Sequence, residues 1–454
     1  MKNRFWRYGT KVKKWDDRLL TRSVIFCMLL SLLLSAFLLG NAKVSDFGGE
    51  SPLLSRIAAI LLFGAMLCVS AVAVLGRQRK VREYLENREA LARMIIDNGW
   101  YETDVKANGR GEQDLTTYVP RLYFWKRYSI TYFPKFYYKK RHGKIYLTVK
   151  INMSRYQEQL QNLEDKVETG LDCEIIKKEY AGTWMHYEFI CDVKARRITV
   201  EQMEETDGCI RFMQHISWDY NEHPHALIVG GTGSGKTTFL LSIIETLLKA
   251  GAILTIADAK NASVAALAHV LSDVHYEIDD IRACIENFYK CMMERMGQMR
   301  EQLGDNLQGD YRDCHMKPHF LILDEYVAFS EMLPKKEWDE VVSIIKKIAQ
   351  LGRQAGFFFV PTCQRPDAKY LPDGVRAQFG LRVALGEMDA SGYTMIFGSS
   401  GKTFVQKDEK GRGYVSLWNG VITEFYAPYA TQEHNFMAHI KAAYIPGEAA
   451  EMLP

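Results

Sequence analysis

Gly230-Gly231-Thr232-Gly233-Ser234-Gly235-Lys236-Thr237-Thr238 fits the spacing G-x-x-x-x-G-K-[ST], with Gly230, Gly235, Lys236 and Thr237 at its fixed positions. Glycines in such a loop let backbone amides close around phosphate oxygens, and the positive end of a following helix adds to the attraction. In that chemistry Lys236 reaches the β- and γ-phosphates of ATP, and the Thr237 hydroxyl ligates Mg²⁺. Further along, His319-Phe-Leu-Ile-Leu-Asp324-Glu325 is an apolar run ending in two carboxylates. Asp324 suits a water-mediated Mg²⁺ ligand, and Glu325 suits the general base that deprotonates an attacking water. Either segment alone could be bland, a glycine turn or a strand ending in solvated acids. Together and in this order they point to nucleoside triphosphate hydrolysis.

The elements that must hold these groups follow from the flanking pattern. Residues 226–229 are an apolar run of strand length, and 239–248 have helical apolar spacing, the strand–loop–helix setting the glycine motif requires. A second apolar strand ends at Asp258-Ala-Lys260. The Met-rich stretch 281–302 reads as a packed helix, because a Met stripe at helical spacing is usually core. Residues 304–317 read as a polar loop, 337–351 as a helix, and 356–366 as a buried strand with Gln364 among the polar residues at its end. From 208 to about 429 this alternation predicts an α/β unit built on a parallel sheet.

The chain has 454 residues, enough for two or three parts, and its 58 basic and 55 acidic residues leave a net charge of +3. A nucleic-acid surface would therefore be local. Nine cysteines without a C-x-x-C pair argue against a disulfide framework and for a reduced, cytosolic face. Cys314, His315 and His319 lack the second cysteine pair of a zinc site and read as structural. Residues 1–22 are strongly basic, and 23–40 and 57–76 are free of charge, the second followed by Arg77, Arg79, Lys80 and Arg82. Eighteen helical residues cover roughly 27 Å, close to a hydrocarbon core of about 30 Å. Residues 1–80 are thus expected to form a two-helix transmembrane hairpin with both basic flanks, and the rest of the chain, in the cytoplasm. A helix over 81–98 follows, stopped at Asn98-Gly99, then a loop over 106–114. Residues 115–205 carry strand-like and aromatic segments with a helix at 154–167, a small α+β domain. Its runs 123–128 and 136–141 interleave aromatics with bases. That mixture fits either base stacking with phosphate contact or an aromatic core face backed by a solvated basic face.

Taken in order, the segment before the phosphate loop, Asp258-Ala-Lys260, Asp324-Glu325, Gly352-Arg353-Gln-Ala-Gly356, Gln364-Arg365-Pro366 and Leu381-Arg382-Val383 resemble the FtsK/SpoIIIE DNA translocases of the HerA-FtsK superfamily. The resemblance implies a RecA-like P-loop motor over 206–454, preceded over 81–205 by a juxtamembrane helix and the small α+β domain, and assembled as a homo-hexamer that threads double-stranded DNA, with single-stranded DNA the alternative. It implies ATP and Mg²⁺ as cofactors and Gln364 as a γ-phosphate sensor. Arg353 and Arg382 match family arginines near the subunit interface, where one could act in trans. Cys363 stands where the family usually has Thr, and Gln378 and Ser391 where arginines are expected. Two spans, one compact motor and a chain that stops at Pro454 without a winged-helix reader look more like the TcpA-type coupling proteins of conjugative elements. The partners implied are a relaxase, the secretion-channel proteins and the membrane. A septal chromosome pump, a type VII secretion ATPase of the EccC kind and an inactive docking platform are the other readings.

Overall fold

The computed structural model describes residues 9–23, 25–26, 29, 33, 65–66, 79–104, 129–366, 373–406, 408–417 and 420–444. The expected spans 23–40 and 57–76 lie almost wholly outside these residues, as do the loop 106–114 and the aromatic and basic run 123–128. Among the described residues no helix is long and apolar enough to cross a membrane. The chain divides into two compact units, Met1–Cys173 with Lys178–Cys191, and Glu174–Lys177 with Asp192–Pro454. Residues 192–205 fall in the second.

The first unit is built on a five-stranded sheet. In chain order its elements are β1 (Thr10–Val12), α1 (Arg79–Asp97), the hairpin β2 (Glu102–Asp104) and β3 (Ser129–Tyr132), β4 (Phe136–Arg141), β5 (Lys144–Lys150), α2 (Gln157–Gln161), α3 (Glu164–Leu171), β6 (Cys173–Ala181) and β7 (Trp184–Cys191). The sheet order is β1-β4-β5-β7-β6. Helix α1 buries Leu91, Ala92 and Ile95. It stops where Gly99 takes φ 67° and Trp100 N–H reaches back to Ile95 O at 2.9 Å, a glycine cap. The single helix expected at 154–167 is two short ones, because Asn162 leaves helical geometry at φ −122°, ψ 64°. The run 136–141 resolves to the packing reading. Phe136 and Tyr138 are fully buried, Asn87 Nδ2 donates to the Tyr138 hydroxyl at 3.0 Å, and Lys140 pairs with Glu83. Those rings are not available to stack on bases.

The second unit opens with a small antiparallel sheet, β8 (Glu205–Thr206), β9 (Cys209–Met213) and β10 (Ile216–Asp219), in the order β10-β9-β8. There follow β11 (Ala226–Gly230), α4 (Lys236–Lys249), β12 (Ile253–Asp258), β13 (Val274–His275), α5 (Ile278–Leu303), β14 (His319–Asp324), α6 (Tyr326–Met332), α7 (Lys335–Ala355) and β15 (Phe357–Cys363). The chain closes with α8 (Asp373–Arg376), β16 (Leu381–Leu385), α9 (Ala390–Phe397), β17 (Arg412–Ser416), β18 (Ile422–Tyr426) and α10 (Phe436–Ala443). Strands β11 to β18 form one sheet in the order β13-β12-β14-β15-β11-β16-β17-β18. Its first six strands are parallel, as the alternation of elements predicts. The last two pair antiparallel, so the sheet is mixed, not purely parallel. For β17 and β18 the reason is the short link between Ser416 and Ile422, which can turn a hairpin but cannot carry a crossover helix. Strands β11, β12, β14 and β15 are buried at every position, the signature of a sheet covered on both faces.

Helix α7 lies close to the sheet through Gly352, where a Cβ would come within 2.2 Å of Phe357 O and 3.4 Å of the His225 ring. His225 is fully buried beside it. Its Nδ1 accepts from Phe359 N–H at 2.9 Å, which leaves the proton on Nε2, 3.0 Å from Ala349 O. Burial pushes its pKa down to about 4, and burial with the nearby Arg295 guanidinium pushes that of His319 to about 3. A free imidazole titrates near 6.5, so below that pH the unfolded chain binds protons that the fold refuses. The contribution of these two imidazoles should therefore be constant above pH 6.5, and stability should fall as the pH drops through 6.5 to 5, where carboxylates are still mostly ionised. Denaturant melts across that window test this. A flat profile there would mean that neither imidazole is held neutral.

Candidate active site

The strand order builds the site. In β14-β15-β11, the strand ending in Asp324 and the strand ending in Gly230 are not neighbours, and β15 lies between them. Ile228 pairs with Thr362 and Leu323 with Pro361, so Thr362 emerges at the carboxyl edge with the phosphate loop on one side and Asp324 on the other. Lys236, first residue of α4, sends its Nζ into this gap. It donates to Asp324 Oδ1 at 2.8 Å, Glu325 Oε1 at 2.6 Å and Thr362 Oγ1 at 3.0 Å. The Thr362 hydroxyl also donates to Asp324. Lys236, Asp324 and Glu325 are each under a tenth exposed. Burial alone would lower the Lys236 pKa, but Asp324 and then Glu325 outweigh it, so the ammonium is held charged and above its ordinary value.

Glu325 sits in the left-handed region at φ 58°, ψ 48°, an unusual conformation for a side chain of its size and one that costs of order 1 kcal/mol. It turns the chain from β14 into α6. Its second oxygen, Oε2, is 3.0 Å from Lys260 Nζ. Asp258 builds the loop that carries Lys260: buried, it accepts from the amides of Lys260, Ala262 and Ala265 at 2.9 to 3.1 Å.

The loop itself has the shape of an anion cradle. Gly233 and Gly235 take φ of 82° and 97°, and among the described residues no side chain caps the start of α4, so its first-turn amides can serve a ligand. A Cβ on Gly235 would stand 3.1 Å from Gly411 N, and one on Gly386 would stand 2.9 Å from Ser234 Cβ. Gly231, Thr232 and Gly233 are exposed, and Thr237 and Thr238 half-buried. Ser234 Oγ is buried without a hydrogen-bond partner among the described residues.

Of the residues singled out in the sequence, the structure brings Gly230 to Thr238, Asp324 and Glu325 together. Gln364 stands exposed just after β15, at the same carboxyl edge. Arg353 and Arg382 are elsewhere. Arg353 lies at the end of α7, before β15 begins, and its Nε donates to Asn221 O at 2.7 Å. Arg382, early in β16, bonds the Phe379 and Ile396 carbonyls. Both therefore sit toward the amino edge of the strands, away from the loop of their own chain. Thr362 and Lys260 were missed. A hydroxyl two residues before Gln364, on the same face of a buried strand, was the available signal for the first. Cys363 points into the core, where burial pushes its thiol up to about 12.

Residues 210–327 match the model of the FtsK/SpoIIIE family. The FtsK domain-containing protein YdcQ of Bacillus subtilis is 34% identical over 472 aligned residues, covering 99% of this chain and 94% of the relative. The DNA translocase FtsK of Borreliella burgdorferi is 23% identical over 41% of this chain and a quarter (25%) of its own length. Among solved structures, the pCW3 conjugation coupling protein TcpA in a monomer form with ATPγS superposes with a TM-score of 0.48 at 20% identity, covering 68% of this chain and 92% of that one. With the phosphate loop and acidic strand end meeting as above, and a relative this similar along nearly the whole chain, the protein belongs to the FtsK/SpoIIIE family of P-loop ATPases.

Proposed function

We propose that this chain is a membrane-anchored, Mg²⁺-dependent ATPase that moves DNA, working as a homo-hexameric ring and serving as the coupling protein of conjugative transfer. The observation that carries the ATPase is the clasp of Lys236 by Asp324, Glu325 and Thr362 beside an uncapped helix start. The residues fit the cofactors: a buried ammonium, an orphaned Ser234 hydroxyl and glycine-bounded amides for phosphates, with Thr237 and Asp324 for Mg²⁺. Mg²⁺ held by Thr237 and Asp324 would supply positive charge against that developing on the phosphates. The chain's own residues do the rest. Lys236 exchanges its carboxylate partners for phosphate oxygens, which frees Glu325 to accept the proton of the attacking water. Thr362 then holds Asp324, and Lys260 steadies the far oxygen of Glu325. Gln364 reads the γ-phosphate from the strand end. Arg353 or Arg382, facing away from their own loop, would serve a neighbouring subunit.

The conjugative role rests on the order of motifs and on one P-loop module set behind two charge-free stretches, the layout that resembles TcpA-type coupling proteins. Hydrolysis by the full chain should be stimulated by double-stranded DNA. Binding should be indifferent to sequence, with log K falling by about 0.9 for each phosphate contact per tenfold rise in salt. Origin preference should appear only when a relaxase is added. Stimulation by an exported polypeptide and not by DNA would transfer the protein to the secretion reading. For the membrane anchor, reporters fused after Tyr8 and Lys80 should both be cytoplasmic and one near Gly48 external. An external reporter at Lys80 would defeat that topology.

A further inference from the structure

Helix α4 carries the phosphate-loop lysine at its start and, nine residues or about 14 Å along, a buried glutamate that the ATPase chemistry does not use. Glu245 meets two histidines from the end of the chain. His434 Nε2 is 2.8 Å from Glu245 Oε2, and His439 Nδ1 is 3.2 Å from Glu245 Oε1. The three ligand atoms lie within 4.8 Å of one another. On its other side, His434 Nδ1 is 2.8 Å from Glu201 Oε1. The side chains of His434 and Glu245 are buried, and that of His439 is half-exposed.

This arrangement has a chemical consequence. A neutral imidazole carries one N–H and can donate to one carboxylate, yet His434 faces a carboxylate oxygen at 2.8 Å from each nitrogen. The second contact needs a cation, either another proton on the ring or a metal ion. Glu201 is placed to take the Nδ1 proton, which fixes the tautomer that leaves an Nε2 lone pair aimed at Glu245, the carboxylate–histidine–metal relation of zinc proteins. His439 supplies a second imidazole from the first turns of α10, held there by Asn435, whose side chain accepts from Ala438 N–H at 3.1 Å. Two imidazoles and a carboxylate select zinc-class ions over Mg²⁺ or Ca²⁺. Ligand atoms around tetrahedral zinc stand roughly 3.3 Å apart for bonds of about 2.0–2.1 Å, so small side-chain shifts suffice.

We propose that Glu245, His434 and His439 bind one divalent transition-metal ion of the zinc class, with a solvent-filled fourth position, and that it pins α10 to the phosphate-loop helix. The ion is a clamp on the fold, remote from hydrolysis, so its test does not depend on activity. Lys249, whose Nζ lies 2.5 Å from Glu245 Oε1 and is half-exposed, is the resident competitor that swings into solvent when the ion binds.

The experiment is metal analysis of the full-length chain after dialysis, with Zn²⁺ titration of EDTA-treated protein followed by thermal melting, and Co²⁺ as a spectroscopic probe. About one zinc per chain, a raised melting temperature on adding Zn²⁺ and the visible absorption of tetrahedral Co²⁺ are expected. His439→Ala, at a half-exposed position, should lose all three. Glu201→Gln should weaken binding about ten- to a hundredfold. Lys249→Met should tighten it, which keeps the idea testable if the histidine variant folds poorly. A chain that keeps no metal and melts at the same temperature with Zn²⁺ overturns the proposal, leaving a proton between His434 and Glu245. So does binding that His439→Ala and Lys249→Met leave unchanged.

Discussion

Lys236→Ala should lower ATP hydrolysis by at least about a hundred- to a thousandfold and also lower the melting temperature of the chain, with Glu325→Gln added to it restoring part of the lost stability. The first effect follows from removing a fixed charge aimed at the phosphates. The second follows from the packing. A reading from the motif alone gives Lys236 to the nucleotide and predicts a variant as stable as the parent. In the structure the same ammonium is the buried countercharge of two carboxylates at 2.8 and 2.6 Å, all under a tenth exposed. Removing one partner of a buried ion pair typically costs about 3–5 kcal/mol, because the other is left uncompensated. Lys260 still reaches Glu325 Oε2 at 3.0 Å but is more than a third exposed, so solvent weakens its hold, and among the described residues Asp324 keeps only the Thr362 hydroxyl. Neutralising Glu325 removes one of the stranded charges, so the two substitutions should be non-additive in denaturant melts. Parental stability in Lys236→Ala would mean that the clasp does not exist in solution.

The motor was legible because its two motifs fix local geometry. Gly233 and Gly235 permit the positive φ that the loop takes, and an apolar run closed by Asp324-Glu325 reads as a buried strand with its acids at the edge. What could not be read is what depends on strand order. Thr362 becomes part of the site only because β15 is inserted between the strands that end in Gly230 and Asp324. Lys260 joins it because Asp258 folds the following loop back over three amides. The hairpin of β17 and β18 was hidden inside an alternating pattern that reads as parallel throughout. Arg353 and Arg382 carry the converse lesson: matching a family position says nothing about reach, and within one chain both bond carbonyls toward the amino edge of the strands.

Glu325→Gln should bind ATP as the parent does and turn it over about 10²- to 10⁴-fold more slowly, the usual contribution of a positioned general base. The substitution is close to isosteric, and its backbone demand, φ 58°, is met as well by Gln as by Glu. The amide oxygen can still accept from Lys236 or Lys260, so the loop geometry survives. What is lost is the capacity to take a proton. Because Asp324, Thr237 and the phosphate loop are untouched, nucleotide affinity measured by equilibrium binding should change little. The full chain should then accumulate in an ATP-bound state. Asp324→Asn provides the contrast, since it removes the negative charge facing Lys236 that the proposed Mg²⁺ site also needs, and should weaken nucleotide binding as well as turnover. Hydrolysis by Glu325→Gln at the parental rate would take the base assignment from Glu325. The clasp around Lys236 would then be structural, and the proton would have to leave to another acceptor, with Gln364 at most orienting the water.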